Sequence, residues 1–136
     1  MNDARDEGLR IFRELLPGRL PDGDIKLTDD RIGEELGELS LIEVFGTLWS
    51  RPGLSRRDRS LVTLGILIAL RADSELREHF PIARTNGLTD TEIAEVIYHS
   101  TGYAGFPAAA AARKVAVEVL PPEEPGSKTD EVRRGE

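Results

Sequence analysis

The 136-residue sequence contains no cysteine. Disulfides, thiolate nucleophiles, CxxC redox chemistry and cysteine-held metals are therefore excluded. Histidine is nearly as scarce: His79 and His99 are the only two, and few acids neighbour them in sequence, so no metal site is expected. No apolar run approaches the roughly 18 residues that span a membrane. Met1–Arg13 alternates charged with apolar residues and shows no apolar signal core. The expectation is a cytoplasmic protein with no membrane partner. Basic residues form no dense block beyond Arg56–Arg57 and Arg133–Arg134, and 25 acids against 18 bases leave a net charge of -7. Nucleic acid is disfavoured as a partner. A small anionic ligand is not, because the local charge of a pocket outweighs the total.

Alternating strand patterns are also missing, and the remaining signals are helical, so the fold class is all-α. Leu9, Ile11, Phe12, Leu15 and Leu16 form an apolar stripe over residues 3–16, stopped by Pro17–Gly18. After a turn-rich connection, Thr28 or Asp29 can cap a second helix carrying Ile32, Leu36, Leu39, Ile42 and Phe45 and running to Trp49. Arg51-Pro52-Gly53 breaks the chain. Ser55 opens a third helix, apolar nearly all round from Leu61 to Leu70, as in a central helix or one covered by a second subunit. Asp73 or Ser74 can cap a fourth, which stops at Asn86-Gly87. Thr89 and Glu92 make a capping box for a fifth, with Ile93, Val96 and Ile97 as its stripe. Pro107 begins a sixth, which runs through Ala108–Ala112 to about Leu120. The reading is one bundle of about six helices over residues 1–120. Residues 121–136, with little to bury, form a flexible tail.

Chemistry concentrates around the third helix. Arg56, Arg57 and Arg59 precede its apolar core, and Glu75 and His79 follow it. The latter two stand one turn apart and so share a helix face. Arg59 can hold a carboxylate bidentately, an imidazole can move a proton near neutral pH, and Glu75 can orient it. Arg56 and Arg57 read as solvated surface charges. Spacing alone also allows Glu75 and His79 to be an ordinary surface pair, and allows Trp49, Tyr103 and His99 to be packing residues.

The motifs W-x-RPGL-x-x-x-x-RSL-x-T at Trp49–Thr63, EL-x-x-H at Glu75–His79, NG at Asn86–Gly87, EI-x-EVI at Glu92–Ile97 and Y-x-G-x-PAA at Tyr103–Ala109 follow in order. Together they resemble the carboxymuconolactone decarboxylase family. The resemblance implies an alkylhydroperoxidase-D-like fold, self-association as a trimer or hexamer, and sites near subunit interfaces. It further implies cofactor-free loss of CO2 from a small carboxylated lactone or keto acid in aromatic catabolism, with His79, Glu75 and Arg59 catalytic. The cysteines of the superfamily's redox branch fall on Ala72 and Glu75, so peroxidase and disulfide-reductase activity do not carry over. The family's His-Ala-Trp-Gly-type segment reads Glu43-Val44-Phe45-Gly46 here, which makes Glu43 a candidate substrate contact beside Trp49, His99 and Tyr103. A lactone isomerase or hydrolase, or a non-catalytic ligand-binding protein on the same fold, is the competing reading.

Overall fold

A computed structural model describes residues 3–122. Beyond residue 122, the tail expected from the sequence lies outside the described residues. All regular structure among the described residues is helical: α1 (Asp3–Leu15), α2 (Leu36–Leu39), a π-helix (Ser40–Leu48), α3 (Arg56–Ala69), α4 (Asp73–Thr85), α5 (Asp90–Ser100) and α6 (Phe106–Val119). The all-α class is as expected. Contacts divide the chain into two compact units, with the boundary between Arg56 and Arg57.

In the first unit, α1 packs along the π-helix. Leu9, Ile11 and Leu15 are buried from α1, and Leu41 and Phe45 from the π-helix. The Phe12 and Phe45 rings meet edge to face, centroids 5.1 Å apart at 83°. Two glycines permit this approach. A Cβ on Gly8 would lie 1.9 Å from the Leu41 carbonyl oxygen, and one on Gly46 would lie 1.9 Å from that of Ala4. The wider winding of the π-helix is seen at its end, where the Trp49 N–H donates to Val44 O, five residues back, at 2.9 Å.

The second helix departs from expectation. Residues 28–35 are not α-helical, because Asp30 and Gly33 take positive φ of 60° and 76°. Ile32, placed on the buried stripe by its spacing, is fully exposed. What secures this segment is polar. The buried Arg5 donates through Nε to Glu38 Oε1 at 2.6 Å and through Nη2 to Ile25 O, while the Leu27 N–H donates to Glu38 Oε2 at 3.0 Å. The Arg5 hydrogen bond, followed by that from Leu27, holds the Glu38 carboxyl below the ordinary glutamate range.

The second unit is a four-helix arrangement. Leu64 and Ile68 of α3, Leu76, Phe80 and Ala83 of α4, Ile93 and Ile97 of α5, and Ala108, Ala109, Ala112, Val115 and Ala116 of α6 form one core. Each large side chain fully buried there contributes about 1.5–3 kcal/mol of transfer free energy. The alanines of α6 let its backbone lie close to α4 and α5. The capping box forms as expected: Glu92 N–H donates to Thr89 Oγ1 at 3.1 Å, and Thr89 N–H donates to Glu92 Oε1 at 2.9 Å. Ala72, rather than Asp73 or Ser74, occupies the N-cap of α4. Helix α3 is two-faced: Leu64 and Ile68 are buried, while Val62 and Ile66, with Leu70 just past its end, are exposed.

Candidate active site

The α3–α4 hairpin fixes where the expected catalytic residues lie. Asn86, just past α4, donates through Nδ2 to the buried Ser60 Oγ at 2.9 Å. The start of α3 therefore lies beside the end of α4, and the two run antiparallel. Arg59, half-buried in the first turn of α3, is at the Asn86 end; Glu75, exposed in the first turn of α4, is at the other. Eleven residues at about 1.5 Å each separate the Glu75 and Asn86 levels by roughly 16 Å. His79 lies between them, roughly 10 Å from the Asn86 level by the same rise. Along the hairpin axis the backbones of the expected trio therefore lie at different levels.

His79 is enclosed, with 8% of its surface exposed. Burial lowers its pKa below the usual imidazole value, and the charge of Glu78 opposes this more weakly. The carboxylate whose charge acts on it is Glu78, one residue away in sequence. A neutral imidazole is favoured, which suits hydrogen-bond donation to an oxyanion better than transfer of a full proton.

The remaining expected contacts divide by exposure. Glu43 is exposed on the π-helix and Trp49 is buried at its end. His99 is exposed on α5, its ring 5.2 Å from that of Tyr103, which is 85% exposed.

Within the second unit, a cavity of about 490 Å³ opens between α3 and α5. Arg57, Leu61 and Gly65 line it from α3, and Thr91, Glu92, Glu95, Val96, His99 and Ser100 from α5. Its volume is in the range of small-molecule sites. Leu61 and Val96 contribute apolar lining, and Glu92 and His99 stand seven residues apart along α5. Arg57, expected to be solvated, donates through Nη2 to Glu92 Oε2. The capping box fixes the other Glu92 oxygen, so a helix-capping motif also holds a guanidinium at the cavity wall. Sequence reading missed Arg57 and Glu95 as cavity residues. The signal for Glu95 was available, because Glu95 and His99 repeat the four-residue spacing of Glu75 and His79.

Among the described residues, no group of three histidine, aspartate or glutamate side chains is placed to hold a metal ion. Residues 35–118 match the carboxymuconolactone decarboxylase family. The chain is 37% identical over 122 residues to the 4-carboxymuconolactone decarboxylase of Acinetobacter baylyi, covering 88% of this chain and 90% of that one. It is also 37% identical over 105 residues to the nitrosuccinic acid decarboxylase of Metarhizium robertsii, covering 75% and 71%. The ordered motifs, the all-helical fold and the likeness to two decarboxylases over most of its length place the chain in the carboxymuconolactone decarboxylase family, as a carboxy-lyase.

Proposed function

We propose that this carboxy-lyase removes CO2 from a small dicarboxylic acid whose leaving carboxylate sits on a carbon joined to an electron sink, with 4-carboxymuconolactone as the first substrate. The observation that carries this reading is the chemistry shared by the compounds for which its two relatives are named. In carboxymuconolactone, the electron pair left by CO2 passes through the ring alkene to the lactone carbonyl. In nitrosuccinic acid it passes to the nitro group. Each compound keeps a second carboxylate on a CH2 arm. In both cases the C–CO2 bond breaks, an oxyanion forms, and one proton then adds to carbon, so the sum is substrate plus a proton giving product plus CO2.

Such a site needs a cation for a carboxylate, donors for the oxyanion and a proton source. Arg59, His79 and Glu75 offer these chemical types. The reading requires no metal or organic cofactor, since the substrate carries its own electron sink. The test is CO2 release from freshly generated 4-carboxymuconolactone and from nitrosuccinic acid by purified protein. Turnover of the lactone is expected. A folded protein that releases CO2 from neither compound contradicts the reading.

A further inference from the structure

We propose that the α3–α5 cavity is the substrate site, in which Arg57 binds a carboxylate of the dicarboxylic acid and His99 delivers the proton that replaces CO2. The proposal rests on the decarboxylase reading for its reaction and on the cavity for its location.

Four features of the cavity support it. The first is the preset cation. Glu92 is held by the Thr89 N–H on one oxygen and by Arg57 Nη2 on the other. A guanidinium carries five N–H donors in a rigid fork, so Arg57 keeps donors beyond the Nη2 that meets Glu92, with Nη1 facing Asp58 Oδ1 at 3.7 Å. The second is distance. Seven residues of α5 separate Glu92 from His99, a rise of roughly 10 Å, and both residues line the cavity. A compact diacid fits that span, with one carboxylate at Arg57 and its reacting carbon toward His99. The third is the spacing of Glu95, one turn before His99 on the same face and on the same cavity wall. Glu95 is a positioning residue that orients the imidazole.

The fourth is Gly65. Glycine within a helix is destabilising relative to alanine. Gly8 and Gly46 are required by the backbones that press on them, whereas nothing lies within 4 Å of an ideal Cβ on Gly65. Packing does not demand a glycine there. It lines the cavity, and a larger side chain would project into that open space.

In this arrangement the C–CO2 bond breaks, its electron pair enters the acceptor, and the His99 imidazole gives a proton to carbon and regains one from water. No other reactant is needed.

The two histidines make the proposal directly testable. Their imidazole C–H signals in the NMR spectrum are assigned with His79→Gln and His99→Gln, and the wild type is titrated with succinate, a dicarboxylate without an electron sink. The His99 signal should move and the His79 signal should not. Arg57→Gln and Gly65→Met should each weaken the response at least about tenfold, with Gly65→Met keeping the wild-type melting temperature or raising it. A static His99 signal overturns the proposal, as does a response that survives both substitutions. With the lactone, His99→Gln should lower kcat by about 10²-fold or more. Arg57→Lys should raise KM, and Glu95→Gln should lower kcat at unchanged KM. CO2 release with a silent His99 would keep the reaction and discard the site. Succinate binding at His99 without CO2 release would keep the site and discard the reaction.

Discussion

His79 illustrates how burial changes what a residue can do. Its folded pKa lies below the 6.5 of a free imidazole, chiefly through desolvation. Below about pH 6.5 the unfolded chain therefore binds a proton that the folded chain resists, and stability falls with pH across that window. The contribution is fully present above the unfolded value and is lost as pH drops toward the folded one. Glu38 acts lower: Arg5 depresses its pKa below 4.5, so its contribution is present above that value and lost beneath it. Between about pH 7 and about pH 5.5 the melting temperature of the wild type should thus decline more steeply than that of His79→Gln. Equal slopes in thermal melts would show that His79 is not held neutral.

At the scale of elements, the helix ends set by local chemistry are the ones the sequence reveals. The Thr89–Glu92 box and Gly87, at φ 99°, place the start of α5 and the end of α4 where expected. Residues 28–48 were less legible, because their form depends on partners distant in sequence. Arg5 reaches Glu38, and Gly8 meets the π-helix that contains Gly46. The apolar spacing of Ile32 and Leu36 mimics a buried stripe that the fold does not use. The candidate site divides in the same way. Residue types and family were readable from motifs, but the gathering of Arg57, Glu95 and His99 depends on α3 and α5 lining one cavity, which no periodicity records. Two predictions belong here. Gly46→Ala should cost about 3 kcal/mol or more in urea unfolding, since its Cβ would overlap the Ala4 carbonyl. Thr89→Ala should cost about 1 kcal/mol, and by loosening Glu92 it should also weaken succinate binding at Arg57. A Thr89→Ala protein with unchanged succinate affinity would uncouple the cap from the cation.

For the whole molecule, no helix among the described residues is long and apolar enough to cross a membrane. The second unit nevertheless exposes Val62 and Ile66 on α3 and Leu70 just past its end, an apolar stripe of the kind that marks association surfaces. Self-association, which the family resemblance implies, should be visible by light scattering, and Ile66→Glu should shift the protein toward monomer. A wild type that stays monomeric at high concentration would contradict this. The central claim is that the chain removes CO2 from an acceptor-bearing diacid and returns one proton to carbon. Its most direct test is the reaction of 4-carboxymuconolactone in D2O, followed by NMR and CO2 capture. One CO2 per substrate and a single deuterium on the carbon alpha to the lactone carbonyl are predicted. Consumption of the lactone without CO2, or its recovery unchanged in the presence of folded protein, would contradict the account.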